Sequence, residues 1–371
     1  MQNGEVEPVA LAEIVSRITV GHRAEQWHGG HERLDVVFVT RPDATCPVAA
    51  VECPELRSAI LYRDAQALKK TRNKNGFVFY PLLVLTIMLD IGLHTFAVLP
   101  AIFAMSSGAA HVEAWLTLNK LKADPEKYLH DVAAQLRYAV WLTMAGVKHW
   151  CRTCAMIFIW LVIGCVQAFL SGPRGIGGEP GYIAAAALVK NAVAAEPWRL
   201  LTATMLHGSV IHFIMNAGAM FSLGLLLERG AHRHLLTPVW LSGAVTGSLL
   251  SWAATPATSV GASGGILAVF AFLLVMGQRR KTRLPPDFAS SLSRSLLMIA
   301  MLGLLAWGVI DNAAHLGGAV TGAVTGYWIF RDDDGMLPLR DSRALVVIGG
   351  IGDLLFAALA MLTIAKLLHV G

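Results

Sequence analysis

Seven apolar runs follow one another between residues 155 and 369, at about 155–171, 210–227, 235–254, 263–278, 295–311, 313–330 and 344–369. An eighth precedes them, from about Phe77 to Met105, interrupted by Asp90, Gly92 and His94. A hydrocarbon core of ~30 Å takes about 20 residues of helix to cross, and it offers no water to an open backbone, so runs of this kind fold as packed transmembrane helices. Some of the seven are shorter than that, as expected of helices that break or sit inside a bundle. The pattern predicts an all-α membrane protein with a core of six transmembrane helices. One extra apolar segment precedes the core and one extra transmembrane helix follows it. The expected divisions are a small water-exposed N-terminal region (1–76), the extra apolar segment and a helical linker (77–152), the core (153–331) and the C-terminal helix (332–371).

Charge supports this reading. Only 15% of the 371 residues are charged, against roughly 25% in a soluble domain, too few to cover a water-facing surface. That excludes an ordinary soluble enzyme. The net charge of +5 fits lysine and arginine held at a membrane face. No polybasic patch with interleaved aromatics is present, so the lipid bilayer is the expected partner and nucleic acid is not. Residues 1–20 hold Glu5, Glu7 and Glu13 without an apolar core, so no cleavable signal peptide is expected. The five cysteines at 46, 53, 151, 154 and 165 do not form a secreted disulfide framework.

In the first region, residues 34–39 read as a strand and Leu56 to Lys70 as an amphipathic helix ending in the basic run Lys69, Lys70, Arg72 and Lys74. Asp124-Pro125-Glu126 combine an N-cap, a proline at the first helical position and an acidic first turn, and predict a helix toward Val147. In the core, one set of loops carries Arg229, Arg233, Arg279, Arg280, Lys281, Arg283, Arg294, Arg331, Arg340 and Arg343. The opposite set carries Arg174, Lys190 and Arg199. Ten against three puts both ends of the core in the cytoplasm and the long first loop, about 172–209, outside. The 77–105 run has basic residues on both flanks. A single crossing sets the N-terminal region outside against the charge rule, whereas a re-entrant path keeps both flanks cytoplasmic; the sequence leaves the two open.

Titratable groups inside spans are costly and tend to mark function. Three stretches hold them: Trp198-Arg199 followed by His207 and by His212 with Asn216 one turn deeper; Gly261-Ala262-Ser263-Gly264-Gly265; and Ala314-His315-Leu316-Gly317-Gly318, continuing to Gly322 and Gly326. By span counting, His212, Asn216, Ser263 and His315 all lie within a turn or two of the outer boundary. Ser263 and His315 then start parallel helices at matched depth, and the ridge Gly318, Gly322, Gly326 facing Gly261, Gly264, Gly265 and Ala268 lets those helices approach. The chemistry reads as a serine hydroxyl activated by an imidazole base. The Ser263 N–H, His212 and Asn216 are candidate oxyanion donors. Asp311, one turn before His315, is open to two readings, an orienting carboxylate or a solvated loop residue.

In combination these motifs resemble the rhomboid family of intramembrane serine proteases over about residues 150–330. The matches are the Trp198-Arg199 pair, His207 with His212-x-x-x-Asn216, Gly261-x-Ser263-Gly264, and Ala314-His315-x-x-Gly318-x-x-x-Gly322. The resemblance implies a six-helix rhomboid-type bundle whose serine meets water in a cavity below the membrane surface. It implies Ser263 as nucleophile, His315 as general base, His212 and Asn216 in the oxyanion hole, and a supporting role for His207. One departure is Leu267, four residues after the serine, where the family often has an aromatic residue packed on the histidine.

The expected function is a serine endopeptidase that cleaves transmembrane segments of membrane-protein substrates, in a bacterial-type inner membrane, without metal or organic cofactor. The alternative is an inactive rhomboid-like protein that binds client transmembrane helices. Three other readings were weighed. Zinc on His207, His212 and His315 leaves Ser263 in its glycine frame without a purpose. Gly350-Ile351-Gly352-Asp353 spells the aspartyl intramembrane-protease pattern, but its only candidate partner, Asp90, lacks the tyrosine context of that family. Cys151-x-x-Cys154, beside His149, reads as free thiols rather than a redox or metal site. Oligomeric state and substrate identity are not encoded in any motif.

Overall fold

The structure, a computed structural model, describes residues 38–39, 48–49, 53, 56–93, 98–144, 151–171, 185–305, 310–331, 337, 339 and 342–369. Among these the chain is an all-helical membrane bundle apart from one small strand pair. It divides into two compact units, Met1–Val140 and Trp141–Gly371.

In the first unit β1 (Phe38–Val39) pairs antiparallel with β2 (Val48–Ala49), Phe38 opposite Ala49. The strand expected over 34–39 is thus represented by its last two residues, 34–37 lying outside the described part. Helix α1 spans Arg57–Leu93 without a break. It joins the amphipathic stretch to the apolar run, which the sequence reading kept apart. Lysine and arginine are good helix formers, so the basic segment at 69–74 changes the solvent preference of the helix without ending it. Pro81 removes one backbone donor but does not stop the helix.

Helix α2 (Val98–Ala123) runs back along α1. Its Gly108 sits against the Phe79 ring and Gly76 of α1 sits against His111. The Tyr80 and His111 rings meet edge-on at 5.8 Å, and His111 Nδ1 is 2.8 Å from the Arg72 carbonyl. The run from Phe77 to Met105 is therefore shared between two arms of an antiparallel hairpin, not one continuous helix. His94 lies outside the described residues, as does the side chain of Asp90. Helix α3 (Pro125–Met144) starts at the expected cap, Asp124 Oδ1 accepting from Lys127 N–H at 3.0 Å. It buries Leu129 and Ala133 against Cys53, Leu56, Ala59 and Ile60, and Tyr128 donates to Asp64 at 3.0 Å.

The second unit holds α4 (Arg152–Ser171), α5 (Val210–Leu227), α6 (Leu236–Ala254), α7 (Ser263–Arg279), α8 (Phe288–Leu305), α9 (Asn312–Ile329) and α10 (Arg343–Leu368). Each of the seven apolar runs is matched by a helix. Helix α8 starts earlier than its apolar run, because Ser293 and Ser295 donate back to the Ala289 and Ser291 carbonyls, which lets a polar stretch stay helical. Among the described residues three stretches are long and apolar enough to cross a membrane: 152–170, 210–254 and 343–368.

Helix α7 is the axis of the bundle. Gly264 through Leu273 are all buried, as a helix apolar on every side requires. Helix α9 lies parallel to it at backbone distance: a methyl group on Gly318 would overlap the Gly264 carbonyl, and one on Gly322 the Ala268 carbonyl. The constant offset shows two glycine-faced helices in register. Gly247 of α6 closes on the Ala314 carbonyl, and Gly265 of α7 turns instead toward Trp240. Large apolar side chains on the outer faces, among them Ile214, Phe221, Leu316, Val320 and Leu354, are exposed, as lipid-facing residues are.

At the end opposite Ser263, buried Glu228 accepts from Thr153 N–H at 2.6 Å and Arg152 N–H at 3.3 Å, satisfying the open donors that start α4. Asp353 of α10 pairs with Arg152 at 2.8 Å and accepts from Thr237 at 2.7 Å. Gly352 lies against Pro238, while Gly350 has open space around it. The Gly-x-Gly-Asp pattern is thus a packing and ion-pair contact that fixes the extra C-terminal helix to α4 and α6.

Candidate active site

The four polar residues singled out in the spans converge at one end of the bundle. Ser263 is the first residue of α7, where its N–H has no intrahelical acceptor and the helix dipole is positive. His315 sits in the first turn of α9, and its Nε2 is 2.8 Å from Ser263 Oγ. That is a full hydrogen bond between a hydroxyl and an imidazole. The pairing follows from the register of α7 against α9: the glycine contacts fix how far apart the helices stand, and both side chains come from first turns.

Gly261 precedes the serine with φ 139°, a conformation open to glycine and strained for other residues. A Cβ there would stand 2.8 Å from His212 Cε1, 3.0 Å from His212 Nε2 and 3.9 Å from Ser263 Oγ. The missing side chain is therefore the space between the His212 ring and the nucleophile. His212 is held in the first turn of α5 by Ser209, whose Oγ caps the helix by accepting from His212 N–H at 3.1 Å. Asn216, one turn further in, is buried, and its Nδ2 has no hydrogen-bond partner among the described residues.

His207 stands behind this group. It is fully buried, with its ring 5.4 Å from His212, 5.2 Å from Phe213 and 6.0 Å from Trp160. Its backbone is clamped from α4: Gln167 Nε2 donates to the His207 carbonyl at 3.2 Å and His207 N–H donates to Gln167 Oε1 at 3.3 Å. Gln167 was not read from the sequence, although one amide in the apolar run 155–171 was the available signal. Trp198-Arg199 organises the outer loop: Arg199 donates to the Ala187 carbonyl at 2.9 Å and to Glu196 at 2.5 Å.

Leu267 is buried, and among the described residues no aromatic ring lies against His315. The histidine helix is instead capped by Asp311, whose Oδ1 accepts from Ala314 N–H at 2.9 Å. Its Oδ2 accepts from Ser251. Asp311 is thus a helix cap and not a solvated loop residue. Lys190 completes the group by donating to Ser251 and, at 3.0 Å, to Ser259. Burial holds its ammonium below the usual lysine value despite the opposing pull of Asp311. Lys190, Ser251 and Ser259 had entered the sequence reading as loop charge or not at all.

Among the described residues no three His, Cys, Asp or Glu side chains gather in a way that could hold a metal ion, so the three-histidine zinc reading gains no support. Cys151, Cys154 and Cys165 are free thiols. Cys46 and His149 lie outside the described residues.

Ser263, His315, His212 and Asn216 fall within the part of the chain that resembles known proteins. Residues 194–332 match the Rhomboid domain family. The chain is 29% identical over 172 residues to the Rhomboid protease GluP of Bacillus subtilis, covering 44% of this chain and 33% of that protein. It is 31% identical over 140 residues to the Rhomboid protease GlpG of Pectobacterium atrosepticum, covering 35% and 48%. It is 35% identical over 136 residues to RHOMBOID-like protein 6, mitochondrial, of Arabidopsis thaliana, covering 36% and 43%. The chain thus spans a third to a half of the length of these relatives. Helix α4 and everything before it fall outside the family match, as does α10. Residues 194–332 thus match a rhomboid domain, and over this stretch the chain is similar to rhomboid proteins of bacteria and plants; its apolar helices mark it as an integral membrane protein.

Proposed function

We propose that the chain is an intramembrane serine endopeptidase with Ser263 as nucleophile and His315 as general base. The observation that carries this is the 2.8 Å contact between Ser263 Oγ and His315 Nε2, made at the N-termini of two parallel helices. His315 takes the serine proton as Oγ attacks a substrate carbonyl. We assign stabilisation of the developing oxyanion to the Ser263 N–H, the His212 ring across Gly261 and the unpartnered Asn216 amide, since donors fixed before reaction are effective. His315 then returns the proton to the leaving amine. Water entering from the same end, with His315 as base, hydrolyses the acyl-enzyme.

The substrate class is a transmembrane segment of another membrane protein. Helix α7 has 17 residues, roughly 25 Å at 1.5 Å per residue, short of a ~30 Å hydrocarbon core. With Arg279 at its other end held at the cytoplasmic face, the shortfall puts its serine end below the outer surface. A substrate helix must unwind there, because its carbonyls are otherwise hydrogen-bonded within the helix. We assign residues 153–331 as the catalytic core, 332–371 as an added helix and 1–152 as accessory. We assign the membrane as a bacterial inner membrane, a reading supported by the basic loops at the end opposite Ser263; the relatives include bacterial, mitochondrial and chloroplast proteins.

A fluorophosphonate serine probe tests the reading on detergent-solubilised full-length protein. Wild type is labelled, while Ser263→Ala and His315→Ala are not. Folded wild type that stays unlabelled beside a reactive control overturns the hydrolase and favours a client-binding rhomboid-like protein.

A further inference from the structure

We infer that Lys190 and Asp311 are positioning residues that couple the segment carrying the nucleophile to the helix carrying the base, an inference that rests on the Ser263–His315 reading. Lys190 donates to Ser251 of α6 and to Ser259. Ser251 donates its own hydrogen bond to Asp311 Oδ2. Each hydroxyl has one hydrogen to give, and the direction is consistent: the ammonium donates, Ser251 accepts and donates onward, and the carboxylate accepts.

Each end of this chain grips one half of the dyad. Ser259 lies in the segment leading to Ser263, and its backbone exchanges hydrogen bonds with Leu188 at 3.0 and 3.3 Å. Two residues on, Gly261 N–H donates to the Ala203 carbonyl at 2.9 Å. At the other end Asp311 caps α9 through Ala314 N–H, one residue before His315. Lys190 is itself fixed, its carbonyl accepting from Trp252 Nε1 at 3.1 Å. Ser251, between the two ends, is fully buried. A cation and a carboxylate joined through a buried hydroxyl thus bind the outer loop, the end of α6, the serine segment and the histidine helix at one point. With Leu267 in place of a ring beside His315, this linkage is what sets the angle at which α9 presents its imidazole.

The test uses full-length protein in detergent, with kinact and KI for the fluorophosphonate probe measured well below each variant's Tm. Lys190→Met and Asp311→Ala should lower kinact on the order of 10²-fold, as expected for an ångström-scale misplacement of the base, with KI within about twofold. Lys190→Arg should recover part of the loss, and the double variant should be no slower than Asp311→Ala alone, since both cut one linkage. An activity-independent measurement accompanies this: amide exchange of residues 310–318 should rise in Lys190→Met, because Lys190 is joined to Asp311 through Ser251. Labelling of these variants at the wild-type rate, additive losses, or unchanged exchange at 310–318 overturns the linkage. Unlabelled wild type with the exchange response intact overturns the hydrolase reading and leaves the linkage standing.

Discussion

The glycines of α9 and α10 allow a prediction whose sign reverses with position. Replacing glycine by alanine in a helix favours the helix by about 1 kcal/mol. At Gly350, where nothing lies within 4 Å, that gain is unopposed, so Gly350→Ala should be neutral or slightly stabilising. At Gly318 the new methyl would overlap the Gly264 carbonyl, and at Gly322 the Ala268 carbonyl. These obstacles are backbone and cannot rotate away, so α9 must move off α7 by on the order of 1 Å, and overpacking of this kind costs about 1–3 kcal/mol. Gly326 is intermediate, its Cβ position lying 3.1 Å from the Phe272 carbonyl oxygen and from Val275 Cβ.

The expected stability order is Gly350→Ala, Gly326→Ala, then Gly318→Ala with Gly322→Ala, read as Tm in one detergent. The same displacement lengthens the 2.8 Å Ser263–His315 contact past hydrogen-bonding range. Gly318→Ala should therefore also lose fluorophosphonate labelling at least about 10-fold, since a positioned base supplies roughly 10²-fold or more. If Gly318→Ala melts with Gly350→Ala and labels at the wild-type rate, the close approach of α7 and α9 is wrong.

Other outcomes follow from single contacts. Gly261→Ala should abolish labelling and also lower Tm, because φ 139° is strained for alanine and its Cβ enters the space beside His212; wild-type labelling would show that this space is not the oxyanion site. Asp353→Ala should cost about 1–3 kcal/mol by stranding Arg152, measured as a lower Tm, with labelling kept at low temperature and much of the loss recovered in Arg152→Met with Asp353→Leu. Gln167→Leu should destabilise by about 1–3 kcal/mol, the cost of leaving the His207 backbone groups unmet, and a Tm equal to wild type would refute the clamp.

What could be read in the sequence, and what could not, divides along physical lines. The spans were legible because a lipid solvent demands long apolar helices, and Ser263 with His315 were legible because the glycine ridge announces which helices touch. The early start of α8 was hidden by serines whose hydroxyls bond to their own helix. The Lys190–Ser251–Asp311 linkage was hidden because its members are distant in sequence and each is ordinary alone; only the packing of α6 against α9 makes Ser251 a bridge. Asp353 matches a catalytic pattern that the missing second aspartate already argued against; its actual role, as the partner of Arg152 about two hundred positions away, is one no local spacing could indicate.

The hairpin of α1 and α2 has a consequence for biogenesis. Two antiparallel arms add an even number of crossings, two or none, at whatever depth the closed end rests. The basic residues before α1's apolar half and those at the end of α2, Lys120 and Lys122, therefore share one compartment. Such an element can enter the bilayer as a unit with no flank carried across, so lengthening or shortening its apolar arms changes anchoring without inverting any helix that follows.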